Sequence, residues 1–440
     1  MSNQRIFCNS PWYELHIYWD GALAFCCHAT PNVPYDTSLK QRYNIRNMSI
    51  KEWYDSVPMR EARLQVLGDQ QWNHCARCWH EEQVSDTSRR HRSNQKSVIF
   101  TKQNFAESYQ QSPGFEKFEH SRSNAGAYDG MPIDLHIDLG NYCNLACKMC
   151  NPSASSRIAS QHRQWNMISA VSQDWTADPE VWNRFREELV SISKLKNIHF
   201  MGGETIIQPR FHDLVDFLID HGRTDVCMSF VTNGTSFDKK IIEKLKRFPR
   251  VGLEISIETL DTLNEYTRQG TDNSMVLANI ENYINECNGT TITVTLRPAP
   301  GLLTVRSYWQ VIELALQKGL LIKSNLCTDP DFLDITVVPK NIRDQYRLPY
   351  LDLLTRYALD EADVWSDYNE SDPNNFRRVA KNQILQILRI LDLPEPDDRD
   401  RRWSALVQHL DRWDRVFGFD ARVLYPEFAH ILDKHGYLQN

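Results

Sequence analysis

Eight of the chain's eleven cysteines fall in two groups whose spacings suit a soft metal centre. Cys143-Asn-Leu-Ala-Cys147-Lys-Met-Cys150 places three thiols within eight residues. Thiolates bind zinc and iron–sulfur clusters. A cubane [4Fe–4S] cluster takes four cysteines. Three close together leave one iron for a non-protein ligand, as a catalytic zinc keeps an open position. A zinc knuckle with a distant fourth ligand is the alternative. The other group is Cys8, Cys26, Cys27, Cys75 and Cys78. Cys75 and Cys78 form a CxxC pair and, with Cys8 and Cys26, make a four-cysteine set for zinc or for a cluster. Cys227, Cys287 and Cys327 are scattered; the first two fall on strand and helix patterns and read as core.

The local patterns predict how these thiols are delivered. Leu15, Ile17 and Trp19 alternate as in a half-buried strand. Asp20-Gly21 is a hairpin turn signal, because glycine accepts positive φ. Residues 22–25 then return as the partner strand and bring Cys26 beside Cys8. Ser49 and Glu52 have capping-box spacing before a helix that runs to about Leu67. Residues 133–139 read as a buried strand leading to Cys143. Further strands are expected at 197–201, 226–232, 252–258, 291–297 and 321–326. Helices are expected at 154–165, 179–193, 211–220, 239–248, 274–286 and 305–316. Six βα repeats predict an α/β fold with a parallel sheet. Its active site then lies at the carboxyl ends of the strands. Beyond residue 340, apolar stripes at helical spacing (Leu353 and Leu354, Ile384 to Leu391, Trp403 to Trp413) predict a helical cap. The expected domains are 1–100 around the four cysteines, a linker at 101–130, the core at 131–340 and the cap at 341–440.

Composition narrows the function classes. The chain has 440 residues, 41% hydrophobic and 24% charged, as an ordinary globular protein does. A net charge of −7 argues against a broadly basic nucleic-acid surface. Arg89-Arg90-His91-Arg92 reads as a solvated or substrate-facing stretch of linker rather than a nucleic-acid patch. The start of the chain has no apolar signal core and no run of 18 apolar residues occurs, so a cytoplasmic protein without membrane spans is expected. There, eleven cysteines point to metal or redox work more than to disulfides.

The CxxxCxxC loop after a strand resembles the cluster loop of the radical S-adenosylmethionine (SAM) enzymes. That resemblance implies a partial (β/α)6 barrel core, with Cys143, Cys147 and Cys150 on a [4Fe–4S] cluster and SAM on the open iron. Reductive cleavage of SAM to a 5′-deoxyadenosyl radical and abstraction of a substrate hydrogen follow from it. Met149 stands where the family often has an aromatic residue. Met201-Gly202-Gly203-Glu204 resembles the family's GGE motif, which meets the SAM ammonium. Thr232-Asn233-Gly234 resembles a TNG found near SAM. Ser256 and Arg268 correspond to residues that contact the SAM ribose or carboxylate, although Glu258 stands where Asp is usual. Arg297, closing the fifth strand, is a further candidate for contact with substrate or SAM. Cys327, after the sixth strand, is a candidate hydrogen donor to a substrate radical.

Cys8, Gly21-x4-Cys26, a helix with Trp53 and Arg60, and Cys75-x2-Cys78 resemble the SPASM/twitch auxiliary-cluster domains of such enzymes. In those the module usually follows the core; here it precedes it. The shorter twitch form, with one auxiliary [4Fe–4S] cluster on Cys8, Cys26, Cys75 and Cys78, fits the cysteine count. Cys27 is a substitute ligand, but the glycine spacing favours Cys26. The resemblance implies oxidation or bond formation on a small molecule or short peptide, and an electron donor such as flavodoxin or ferredoxin. A radical enzyme acting on a ribosomal peptide or protein side chain is the second reading. A non-catalytic zinc or iron–sulfur protein that binds RNA is the reading from another class.

Overall fold

A computed structural model describes residues 6–29, 43–71, 73–84, 88–97, 99, 104–168, 174–359 and 375–438. Ten strands lie among them: β1 (Glu14–Ile17), β2 (Leu23–Ala24), β3 (Asp134–Asp138), β4 (Ala146–Cys147), β5 (Asn197–Met201), β6 (Cys227–Thr232), β7 (Val251–Ile255), β8 (Arg268–Gln269), β9 (Ile292–Leu296) and β10 (Leu321–Ile322). The chain divides into two compact units. The first holds residues 1–143, 152–230 and 240–251; the second holds 144–151, 231–239 and 252–440.

In the first unit the strands run in the order β2-β1-β3-β5-β6. β1 and β2 are antiparallel, and the pairs β1–β3, β3–β5 and β5–β6 are parallel. Parallel pairing in register aligns whole rows of side chains, because successive residues of a strand face opposite sides. Ile17, Ile137, Phe200 and Phe230 form one such row, and each is fully buried. The adjacent row, on the opposite face, is His16, His136, His199 and Ser229. The sheet therefore has one apolar face and one polar face here. The hairpin turns at Gly21, whose φ is +86° and whose Cβ would meet Asn44 Oδ1 at 2.5 Å.

β1 of the N-terminal hairpin extends the parallel sheet beside β3. Two expectations for this unit change. The helix expected from 50 to 67 is two helices, Ile50–Tyr54 and Val57–Leu67. Ser49 and Glu52 make the capping box of the first. The break precedes Pro58, which has no N–H to continue the first helix and suits the opening turn of the second. Residues 101–130 are not an open linker where they are described. Helices Phe105–Gln111 and Phe115–Ser123 set Tyr109 and Phe118 into one apolar cluster with Phe7, Cys8, Trp12, Val66, Leu67 and Ile99. Phe118 meets Trp12 edge-on at 4.8 Å, an arrangement favoured by the ring quadrupoles.

In the second unit β7 neighbours β9 and β9 neighbours β10, the latter pair parallel. The strand expected at 321–326 shrinks to β10, two residues long. β4 and β8 form a separate antiparallel pair that sets Cys147 opposite Arg268. The expected C-terminal helices appear as Arg347–Arg356, Asn375–Asp392 and Arg399–Phe417. Trp403, Leu406, Leu410 and Trp413 are all buried along the last of them, as their spacing predicts. The architecture is α/β with a sheet dominated by parallel pairs. Among the described residues no helix is long and apolar enough to cross a membrane.

Candidate functional site

The four cysteines of the N-terminal set line one cavity. Cys8 comes from the segment before β1, Cys26 from just after β2, and Cys75 and Cys78 from the turn and helix at 73–84. Ser10, Phe25, His28, Trp79, Arg89 and Arg90 also line it. Burial pushes the Cys8 thiol up to about 11, and the Cys26 charge adds to it. Cys75 and Cys78 are raised further, by burial first and then by the neighbouring sulfurs. Four thiolates cannot share an apolar pocket without a cation among them. Soft donors, enclosure and mutual proximity fit an iron–sulfur cluster.

Cys26 and Cys27 are distinguished by this geometry. Cys26 lines the cavity and Cys27 does not. The hydrogen bond from Cys27 lowers the Cys26 thiol against the opposing effect of burial. The His28 backbone N–H also donates to Cys26 Sγ at 3.2 Å. His28 Nδ1 lies 3.8 Å from Cys78 Sγ and 3.5 Å from Glu81 Oε1.

Arg89 to Arg92 belong to a helix, Arg89–Lys96, that covers this set rather than to a solvated linker. Arg90 is 2% exposed, pairs with Glu82 at 2.7 Å and stacks over the Trp79 ring at 4.9 Å. Arg89 pairs with buried Glu14 at 2.7 Å, which raises its pKa; Cys27 and Cys26 add to the rise. Burial pushes the Glu14 carboxyl up, but Arg89 and Lys96 outweigh it and hold the group below its usual range. Sequence reasoning missed this role. The only sign in the sequence was a basic run soon after the CxxC.

The second cysteine set is carried by one loop. Its opening half belongs to the first unit. Leu139 N–H donates to Met201 O at 3.2 Å, and Ser156 N–H to Asn141 O at 2.6 Å. Cys143 N–H donates to Ser156 Oγ at 3.1 Å. Gly202 and Gly203, with φ of +83° and +60°, lie against this backbone: a Cβ would come within 2.7 Å of Gly140 O and 2.2 Å of Tyr142 O. The glycine pair is thus required for close approach of one backbone segment to another. Glu204 is buried, donates its N–H to Tyr142 O at 2.9 Å, and accepts from Ile206 N–H at 3.2 Å.

The closing half of the loop belongs to the second unit. Asn233 Nδ2 donates to Asn144 Oδ1 at 2.8 Å, and Asn144 Nδ2 to Thr235 Oγ1 at 2.8 Å. Cys147 is buried; Met149 and Cys150 are half-buried. Lys148, fully buried, lies 3.4 Å from Asp414, donates to Tyr266 O at 3.1 Å and sits 3.9 Å over the Tyr266 ring. Burial pulls the Lys148 ammonium down to about 8 and pushes the Asp414 carboxyl up. Tyr266 and Tyr437 hydroxyls donate to Asp414 Oδ2 at 2.9 and 2.6 Å. This lock was missed as well, and nothing in the sequence links Lys148 to a residue so far downstream.

The strand-end candidates of the second unit occupy defined places. Ser256, just after β7, donates its N–H to Thr232 O at 2.8 Å. Arg268 is 8% exposed and pairs with fully buried Glu258 at 2.9 Å. This is a buried pair. Glu258 also accepts from the Ala299 N–H. Arg297 is committed to Glu254, which Lys323 reaches at 3.2 Å. Cys327 is buried against Gly301, and burial pushes its thiol up to about 12.

Residues 137–299 match the model of the Radical SAM superfamily. Residues 8–79 match the model of an iron–sulfur cluster-binding domain. No curated protein matches the chain. Among solved structures, SuiB of Streptococcus suis bound to the precursor peptide SuiA is 14% identical, with a TM-score of 0.38, over 72% of this chain and 66% of that one. anSMEcpe with bound AdoMet is 17% identical, with a TM-score of 0.40, over 52% of this chain and 62% of that one. TYW1 with a lysine–pyruvate adduct is 14% identical, with a TM-score of 0.29, over 53% and 74% of the two chains. The chain thus spans less than two thirds of the length of SuiB and of anSMEcpe.

Proposed function

From a chain that carries a radical SAM domain at residues 137–299 and, before it, an iron–sulfur cluster-binding domain at residues 8–79, we propose an oxidoreductase with two [4Fe–4S] clusters that takes a hydrogen atom from a small molecule or short peptide. The SAM-binding cluster and SAM, when bound, supply a 5′-deoxyadenosyl radical for that abstraction. Cys143, Cys147 and Cys150 hold the first cluster, and Cys8, Cys26, Cys75 and Cys78 hold the second. The observation that carries this reading is the convergence of four cysteines from separate segments on one cavity.

The chain's own groups orient and insulate. Gly202 and Gly203 let the segment after β5 lie flat against residues 140–142, which fixes the approach to Cys143. Asn233 ties Asn144 in place. Glu204, Ser256, Arg268 and Met149 are assigned to SAM: the carboxylate to its ammonium, the serine to its ribose, the guanidinium to its carboxylate and Met149 to the adenine. Arg268 has five N–H donors, of which one is directed at Glu258. Cys327 remains a thiol at neutral pH because burial holds its proton. A neutral S–H is the form that can return a hydrogen atom to a substrate radical.

The test is dithionite-dependent formation of 5′-deoxyadenosine by the anaerobically reconstituted chain, measured with and without candidate substrates. Substrate-dependent stimulation supports the reading. Colourless protein that holds only zinc and makes no 5′-deoxyadenosine contradicts it.

A further inference from the structure

We propose that His16, His136 and Asp138 form a site for one divalent transition-metal ion that uses none of the cysteines. His16 on β1 and His136 on β3 are register partners, and Asp138 lies two residues beyond His136, so all three project from the same face of the sheet. One ligand atom from each lies within 4.8 Å of the others. Metal–ligand bonds of about 2.0–2.2 Å in tetrahedral geometry set neighbouring donors about 3.3 Å apart. His16 Nε2 is already 3.3 Å from Asp138 Oδ1. His136 Nε2 is 4.0 Å from the same oxygen.

The surroundings support a built site. His16 is 4% exposed, and the nitrogen that faces Asp138 Oδ1 is its Nε2. Tyr18 packs against the His16 ring at 3.9 Å, and its hydroxyl is anchored on Ala29 O at 2.8 Å. His199 meets His136 edge-on at 4.6 Å and is itself held by Ser229, 2.7 Å from its Nδ1. Two imidazoles and a carboxylate, with no thiolate, suit Mn²⁺, Fe²⁺ or Zn²⁺. Three protein donors leave a coordination position for an oxygen or nitrogen of a small ligand.

Mn²⁺ is the probe, because its low affinity for thiolates keeps it off the cysteines. The full-length, cluster-loaded chain is stripped with EDTA and titrated with Mn²⁺ while the electron paramagnetic resonance of the free ion is followed. The expected result is one ion bound per chain in the wild type. His16→Ala and Asp138→Asn should each weaken binding at least about tenfold, the loss that removal of even a supporting partner produces. His221→Ala, an exposed histidine of the same unit, should change nothing. Iron content reports folding, and His136→Gln replaces any variant that loses its iron. Wild-type protein that binds no Mn²⁺, or a His16→Ala/Asp138→Asn double variant that binds it as tightly as wild type, overturns the proposal.

Discussion

The two cysteine sets are gathered by opposite strategies. The four-cysteine set is assembled from positions 8, 26, 75 and 78, so its geometry depends on a hairpin, a helix and the packing between them. Its sulfurs share an enclosure with Phe25 and Trp79, and Arg89 and Arg90 cover it. The three-cysteine set is local, eight residues long, and is shaped by backbone hydrogen bonds and by Gly202 and Gly203. Each set has a cation, half-buried Arg89 for one and fully buried Lys148 for the other. Arg89 finds its counterion, Glu14, within the same unit as the cysteines it covers. Lys148 lies inside the loop itself and pairs with Asp414 on the helix Arg399–Phe417. Four donors close a site; three keep one position open. On the proposed assignment, the four-cysteine set keeps a cluster in and the local set leaves an iron available.

The largest test of that contrast is Cys143→Ala. Loss of one of only three ligands should abolish dithionite-dependent 5′-deoxyadenosine formation. Residual formation at wild-type rate would mean that the local loop is not where SAM is cleaved. Next comes the choice between neighbours. Cys26→Ala should remove about four irons, the content of one [4Fe–4S] cluster, whereas Cys27→Ala should remove none. Equal iron loss in both would erase the distinction that the cavity draws between them.

Lys148→Met probes the cation inside the loop. It leaves Asp414 buried without its counterion, which costs about 3 kcal/mol, read by chemical denaturation under anaerobic conditions. The two tyrosine hydroxyls on Asp414 place the expected cost at the lower end of that class. The difference should also depend on pH. In the folded chain Lys148 releases its proton near pH 8, against the ordinary 10.5. Between these values the unfolded chain binds more protons, so the contribution of Lys148 to stability rises with pH. The advantage of wild type over Lys148→Met should therefore widen from about pH 8 to about 10.5. A difference that narrows across this window would contradict the burial of Lys148. The smallest change is expected for Cys327→Ala: unchanged iron and unchanged 5′-deoxyadenosine, with less product if the thiol returns a hydrogen. Full product yield would remove Cys327 from the mechanism.

What the sequence revealed follows from the range of its signals. Strands such as Asn197–Met201 and helices such as Asn273–Cys287 were legible because alternation and 3.6-residue spacing are local. The capping box at Ser49 was legible for the same reason, while the break before Pro58 was read too leniently. Helices Phe105–Gln111 and Phe115–Ser123 were lost in a polar stretch, although Phe105 and Tyr109, and Phe115 and Phe118, keep helical spacing. The partners of Arg89 and Lys148 were not legible, since an ion pair across tens or hundreds of residues leaves no periodic trace. The aligned histidines of β1, β3 and β5 belong to the same class. Each looks like a lone histidine until strand register brings them together.

The most direct measurement is the iron content of three anaerobically reconstituted proteins: wild type, a variant with Cys143, Cys147 and Cys150 all changed to Ala, and one with Cys8, Cys26, Cys75 and Cys78 all changed to Ala. Two independent cysteine sets predict about eight, about four and about four irons per chain. Wild type with only about four irons, or either variant retaining about eight, would contradict the assignment of one cluster to each set.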